Sequence, residues 1–330
     1  MKQNYSSSQS ILGEIKIAKN ILINVHRNPD LDSIGSATAL YQALIKIGKK
    51  VTLVCPHEIP ENFKFLKGAE KVQIIDFMNF KNFINLTNSD LFLIADSGSY
   101  DIVTGSKEVQ LPDIKKIIID HHQTNNWTKY VSKLLDIEAS STSEIVYKLL
   151  LDWEIEIDSE IATSLFSGIA SDTVFFKYEK NSKKTFRIAT ELLEKGADKD
   201  KLIEQAFDSF DFNLIQTMGE FLTKMKKETS LAGGFVYSIM DNETFVKFGK
   251  HRGARETVAN LFARSIKGFD FGFIAVEYEQ GKFAVSFRSK KDTDVSVIAK
   301  KLGGGGHKNA AGATVYGSID QVIKKIKETV

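Results

Sequence analysis

The chain has 330 residues, room for two domains at about 150 residues each, and its 42% apolar and 26% charged residues are the balance of an ordinary globular protein. Its 44 Lys+Arg against 42 Asp+Glu leave a formal charge of +2, which disfavours a general electrostatic grip on long nucleic acid but permits a local basic patch for a short phosphorylated ligand. The single cysteine, Cys55, excludes an intrachain disulfide and a thiolate zinc site.

The opening stretch, MKQNYSSSQSILGEIKIAKN, is polar and carries neither the apolar core nor the small-residue cleavage site of a secretory signal. Apolar runs fall short of the roughly 18 residues that span a bilayer, so a cytoplasmic protein without a membrane segment is expected. Strands are predicted at Ile21–Val25, Lys50–Cys55, Val72–Asp76, Leu91–Asp96 and Lys116–Asp120, nearly continuous in apolar character, as in a parallel sheet covered on both faces. Helices are predicted at Ser33–Lys46, at Ser141–Asp152 behind the capping-box pattern Ser141-Thr142-Ser143-Glu144, and at Ile161–Ala170. This alternation predicts an α/β fold with an open, doubly wound, mostly parallel sheet. Residues 183–229 read as a charged helical connector. Beyond it come a strand (Gly234–Met240), a helix (Ala254–Ile266), a hairpin (Phe271–Glu279 and Lys282–Ser289), a helix (Val295–Leu302), a strand (Ala313–Tyr316) and a last helix (Ile319–Glu328). The expected division is a catalytic domain over 1–190, a connector over 191–228 and a smaller α+β domain over 229–330, with the site in the cleft between the domains.

Open α/β sheets bind ligands beyond the carboxyl ends of their strands. There the sequence places His26, Asp30 and Asp32 after the first strand, Asp96 after the fourth, and Asp120-His121-His122 after the fifth, while Asp172 follows a later helix. Taken singly, Asp32 or Asp96 reads as a helix N-cap, and a lone His on an apolar strand as a satisfied core residue. Together, so many carboxylates at one sheet end repel each other unless cations intervene. Carboxylate mixed with imidazole and without thiolate suits two divalent ions, Mn²⁺ or Mg²⁺, with imidazole tilting the choice to Mn²⁺.

The HxxPDxDS run from His26, the strand-end Asp96, the Asp-His-His at 120–122 and Asp172-Thr173 resemble the successive motifs of the DHH phosphoesterase superfamily. The resemblance implies that His26, Asp30 and Asp96 hold one metal and Asp32, Asp96, His121 and Asp172 the other, with Asp96 bridging. It also implies that Asp120 orients an imidazole and that His122 faces the substrate phosphate, so that Asp96 and His122 are the catalytic pair. Many relatives read Asp-Thr-Gly where this chain has Asp172-Thr173-Val174; the ligand is kept and the turn behind it differs.

Gly303-Gly304-Gly305-Gly306-His307-Lys308-Asn309-Ala310-Ala311-Gly312 reads as a backbone nest for an anionic oxygen, and resembles the substrate-binding motif of the DHHA1 domain. Upstream, Arg288-Ser289 matches an Arg-Ser of the same domain, so Arg288 is expected to fork onto a phosphate or base edge. Arg255, in the cluster His251–Arg255, reads as a solvated helix start or, alternatively, as a group that reaches the ligand, and Phe287 as a core residue or a surface on which a base stacks. Stand-alone chains of this length resemble the bifunctional oligoribonuclease and 3′-phosphoadenosine-5′-phosphate (pAp) phosphatase group, whose relatives hydrolyse cyclic di-AMP or pApA. The expectation is a phosphodiesterase and phosphatase, Mn²⁺-dependent, that uses a water activated by two metals to cut short RNA or DNA oligonucleotides, pAp or linear and cyclic di-AMP to mononucleotides. A homodimer is expected for the group. The alternatives are an inorganic pyrophosphatase with the same first-domain motifs, and a silent nucleotide-sensing or RNA-binding module.

Overall fold

The computed structural model describes residues 5–75, 83, 87–106, 108, 111, 113–122, 132–177, 182–231, 233–251, 253–290 and 293–330. The chain divides into two compact units, Met1–Ser209 and Phe210–Val330.

In chain order the first unit contains α1 (Ser8–Ile17), β1 (Asn20–Asn24), α2 (Leu31–Lys46), β2 (Lys50–Cys55), β3 (Gln73–Ile74), β4 (Leu91–Ala95), α3 (Tyr100–Thr104), β5 (Lys115–Asp120) and β6 (Ser132–Leu135). Helices α4 (Thr142–Asp152), α5 (Ser159–Asp172), α6 (Ser182–Glu194) and α7 (Lys199–Ile203) follow. The described strands form a parallel sheet in the order β3-β2-β1-β4-β5-β6. Side chains alternate across it. Ile21, Ile23, Leu53, Leu91, Leu93, Ile117 and Ile119 enter a core shared with α1, α2, α4 and α5, while Leu22, Val54, Phe92, Ile94 and Ile118 pack on the opposite face with Val103. Burial on both faces is why these strands are apolar throughout rather than alternating.

The order reverses direction between β1 and β4, the switch point at which such sheets open a crevice. After Ile23 and Leu93 the two strands stop pairing. The buried Asn24 amide takes over, accepting from the Ala95 N–H at 2.8 Å and donating to the Ala95 carbonyl at 3.3 Å. Helices α2 and α5 cross closely at Gly35 and Gly168. A Cβ on Gly35 would lie 2.5 Å from the Ser164 carbonyl oxygen, and one on Gly168 would lie 2.7 Å from Asp32 Oδ1. Only glycine allows this approach, and it brings the acidic end of α2 against α5 and α4.

In the second unit the elements are α8 (Phe212–Thr223), β7 (Lys226–Glu228), β8 (Phe235–Met240), α9 (Asn242–Lys247), α10 (Gly253–Val258), β9 (Phe271–Glu279), β10 (Lys282–Ser289), α11 (Val295–Lys301), β11 (Gly305–His307), β12 (Ala310–Tyr316) and α12 (Ile319–Lys327). The sheet runs β11-β12-β10-β9-β8-β7, antiparallel except for the β8–β9 pair. One face packs Phe235, Phe273, Phe283 and Phe287 against α11 and α12, and the other packs Ile274 and Val276 against α8, α9 and α10.

Several expectations change. The third predicted strand shrinks to Gln73–Ile74, and Asp76 lies outside the described residues. The stretch read as one helical connector is α6, α7 and α8, and its end is a strand, Lys226–Glu228, because it pairs with β8. The helix predicted over 254–266 gives way after Val258 to a wider π-turn at Ala259–Ala263. Phe287 is fully buried and meets Phe273 at 5.6 Å, so it is core and offers no face for a base. No described helix is long and apolar enough to cross a membrane.

Candidate metal centre

The switch-point crevice collects the strand-end residues. His26 follows β1; its Nδ1 lies 2.8 Å from the Arg27 carbonyl, which leaves Nε2 facing Asp30 Oδ2 at 3.6 Å and Asp96 Oδ2 at 3.5 Å. If Nδ1 carries the proton, Nε2 is free as a ligand atom. Asp30 is the N-cap of α2: one oxygen accepts from the Ser33 N–H at 2.9 Å while the other faces His26. Asp96 follows β4 with φ +54°, in the left-handed region that Asp tolerates better than most side chains. That turn swings its carboxylate across the crevice.

On the far side, His121 Nε2 lies 3.1 Å from Asp172 Oδ2, 3.7 Å from Asp96 Oδ1 and 4.0 Å from Asp32 Oδ2. Asp96 therefore turns one oxygen to His26 and Asp30 and the other to His121. Asp172 is the last residue of α5, two residues later than the predicted helix end. The buried Asp120 accepts from the His121 and His122 N–H groups and pairs with His122 Nδ1 at 2.7 Å, so the imidazole it orients is that of His122. His122 Nδ1 also lies 3.6 Å from Asp96 Oδ1.

The electrostatics of the crevice favour added positive charge. Burial and the charges of Asp96 and Asp172 push the Asp32 carboxyl well above the ordinary carboxylate range, and burial raises Asp172 as well. Burial acts against Asp96 too, but His26, His122 and His121 hold it well below that range. Burial opposes the charge on His26 and His121, yet the surrounding carboxylates raise both well above 6.5. Protons thus stand in for positive charge. Three groups, His26/Asp30/Asp96, Asp96/His121/His122 and Asp32/His121/Asp172, each bring their ligand atoms within 4.8 Å of one another. An all-oxygen-and-imidazole set with buried, mutually repelling carboxylates fits hard or borderline divalent cations.

Sequence reasoning missed the α4 terminus. Ser141 caps it by accepting from the Glu144 N–H, but the reciprocal half of a capping box does not form, because Glu144 instead accepts from Ser140 and pairs with Lys148. The N–H groups of Thr142 and Ser143 turn to Asp32, at 2.7 and 2.9 Å, and the Thr142 hydroxyl donates to Asp96 Oδ1 at 2.9 Å. The run of four hydroxyl residues, Ser140-Ser141-Thr142-Ser143, before Glu144 was the only signal. Behind Asp172, Val174, Phe175 and Phe176 all have positive φ, +50°, +54° and +64°, a region that glycine enters without strain and a β-branched residue does not. Phe175 packs on Phe207 and Phe176 on Phe186.

The glycine run of the second unit is not an open loop. Gly303, at φ +78°, stops α11, and Gly305–His307 forms the edge strand β11 in a hairpin with β12 around Lys308-Asn309. A Cβ on Gly304 would lie 2.1 Å from the Gly312 carbonyl oxygen, and one on Gly306 2.6 Å from that of Ala310. The result is a side-chain-poor strand at the edge of the sheet among the described strands. The side chain of His307 lies outside the described part. The Ser289 hydroxyl donates to the Thr293 carbonyl at 2.6 Å and accepts from the Asn309 amide at 3.0 Å, so it braces the hairpin against the Arg288 strand. Arg288 donates to Asn260 and to the Phe287 carbonyl, and burial, with Arg264 and Arg255 nearby, lowers its pKa to about 10. Arg255, expected to be solvated, is 18% exposed and paired with Glu256.

Residues 20–169 match the DHH family, N-terminal domain, and residues 233–330 match the DHHA1 domain. Over 324 residues the chain is 30% identical to the bifunctional oligoribonuclease and PAP phosphatase NrnA of Thermus thermophilus, covering 94% of this chain and 89% of the relative. It is 26% identical to the cyclic-di-AMP phosphodiesterase GdpP of Bacillus subtilis over 95% of its own length and 48% of that longer protein. A solved structure of an exopolyphosphatase-related protein from Bacteroides fragilis superposes with a TM-score of 0.89 at 25% identity, covering 100% of this chain and 97% of the other. With all of the acidic and imidazole crevice but Asp172 in the matched N-terminal part and the glycine hairpin in the matched C-terminal part, the chain belongs to the DHH family and is a hydrolase of phosphoric esters.

Proposed function

We propose that the chain is a phosphodiesterase and phosphatase of the cytoplasm, dependent on two divalent ions and best served by Mn²⁺, that cuts short oligonucleotides, pAp and linear or cyclic di-AMP to mononucleotides. The observation that carries the reading is the placement of Asp96, one oxygen toward His26 and Asp30 and the other toward His121, at the sheet's switch point. His26, Asp30 and Asp96 would hold one ion, and Asp96, Asp32, His121 and Asp172 the other. Such a pair supplies charge neutralisation at phosphorus and acidifies the attacking water.

The chain's own residues do the rest. Asp120 fixes the His122 ring through Nδ1. Burial opposes a charged His122 ring while its carboxylate neighbours favour it, and in this reading Nε2 donates to a phosphate oxygen. The Arg288 guanidinium and the N–H groups of the β11 edge bind the nucleotide portion. Support for a nucleotide over pyrophosphate comes from this second unit, since pyrophosphate has no base for it to hold, and from relatives named for oligoribonuclease, PAP phosphatase and cyclic-di-AMP phosphodiesterase activity. Complete retention of the ligand set in one crevice supports an enzyme over a silent nucleotide sensor.

Purified protein with Mn²⁺ is assayed against pAp, pApA, cyclic di-AMP, a five-nucleotide RNA and pyrophosphate, with Asp96→Asn as the control. Turnover of at least one nucleotide, lost in the control, is expected. Turnover of pyrophosphate alone, or undiminished turnover by a folded Asp96→Asn protein, refutes the reading. Arg288→Ala is expected to raise KM for the nucleotides while leaving a small generic phosphodiester nearly unchanged; equal loss on both removes Arg288 from the specificity contacts.

A further inference from the structure

We propose that Thr142 is a positioning residue that locks the bridging carboxylate Asp96 and ties it to Asp32, so that the two ions are held in one fixed relation; this rests on the two-ion reading above. Thr142 is fully buried, 46 residues from Asp96 and 110 from Asp32 in sequence. It touches both ligands with different groups. Its hydroxyl donates to Asp96 Oδ1 and its N–H donates to Asp32 Oδ2, while the next N–H, of Ser143, donates to Asp32 Oδ1.

The need for such a contact follows from the carboxylate itself. The terminal torsion of Asp is broad and two-fold, so packing alone does not fix which way the plane faces. Asp32 escapes this freedom because two consecutive N–H groups at the start of α4 grip one oxygen each. Among the described contacts, Asp96 receives no N–H of this kind. Its Oδ1 lies 3.6–3.7 Å from His122 and His121, beyond hydrogen-bond range, and the Thr142 hydroxyl at 2.9 Å is the donor that defines its plane. The hydroxyl occupies one lone pair of Oδ1, so Asp96 would keep its remaining lone pairs for ions held with His121 and with His26. Because the same residue anchors Asp32 through its main chain, a displacement of α4 moves both ligands together.

Mn²⁺ binding to the metal-free protein is titrated calorimetrically for wild type, Thr142→Val, Thr142→Ala and Thr142→Ser, with far-UV circular dichroism as the check of fold. Loss of an outer contact of this kind typically weakens metal affinity or activity about 10- to 100-fold. The two variants without a hydroxyl are expected to bind at least one ion tenfold or more weakly and to lose kcat rather than gain KM, and Thr142→Ser is expected to restore both. A folded Thr142→Val or Thr142→Ala protein that binds both ions as wild type does overturns the proposal. So does a Thr142→Ser protein as weak as the alanine variant, since the methyl group would then be what matters. Should wild type itself bind no Mn²⁺ and hydrolyse no nucleotide, the functional reading fails instead, and the two failures are distinguished.

Discussion

Gly168→Ala tests whether the close crossing of α2, α4 and α5 is what holds the crevice together. In an open helix interior this change is stabilising, by about 1 kcal/mol from helix propensity. Here the new Cβ would lie 2.0 Å from Ser143 Oγ, 2.8 Å from Ser143 Cβ and 2.7 Å from Asp32 Oδ1, where ordinary contact begins at 3.4 Å. Ser143 can rotate its hydroxyl away, but its Cβ must still retreat by about 0.6 Å and Asp32 by about 0.7 Å. Neither is a flexible chain end, because both are tied into the α4 N–H contacts. Overpacking of this kind costs about 1–3 kcal/mol, which leaves a net loss of up to about 2 kcal/mol after the propensity gain. The effect on rate should exceed that on stability, since a misplacement near 1 Å costs roughly 100-fold. The assays are urea melts followed by fluorescence of Trp153, which is buried in this unit, and kcat on the best nucleotide. Gly13→Ala, on α1 with nothing within 4 Å of the new Cβ, is the control and should gain about 0.5–1 kcal/mol with unchanged rate. A Gly168→Ala protein as stable as the control and fully active would refute the reasoning.

Val174→Gly should relieve a β-branched residue held at φ +50°, where the left-handed conformation costs about 1–2 kcal/mol; the greater freedom of glycine in the unfolded chain returns much of it. A net gain of under about 1 kcal/mol is expected in the urea melt, and a clear loss would show that the Val174 side chain packs more than its backbone strains. The metal-free protein should lose stability as pH rises above about 6.5. His26 and His121 have raised pKa values, so their contribution is complete below the ordinary 6.5 and lost as pH climbs through the folded values. Mn²⁺ affinity should move the opposite way, strengthening with pH and releasing protons on binding, because the ring must be neutral to bind. Thermal melts and calorimetry in two buffers of different ionisation heat measure both trends, and pH-independent affinity would contradict the protonation scheme.

Helix and strand positions near the site were legible because local chemistry marks them. Strands buried on both faces must be apolar throughout, and acids and imidazoles directly after such strands leave little room for a core role. Elements lacking that mark went unseen. Strand β6 is mostly exposed, β7 is the charged run Lys226-Lys227-Glu228 on the sheet edge, and both exist because a neighbour pairs with them. The glycine run announced backbone exposure but not an edge strand, since that depends on Gly304 and Gly306 lying against carbonyls of β12.

From the residues alone came the strand–helix alternation, the candidate ligands and the kind of ion they suit, because periodicity and ligand chemistry are local properties. Only the folded chain decided that Asp96 faces both ways, that Asp120 serves His122, that Ser289 is a brace, and that Thr142 reaches Asp32 from 110 residues away. Those facts depend on which helices can touch, and here that was set by the hydrogen atoms of Gly35 and Gly168 where any other residue would carry a carbon.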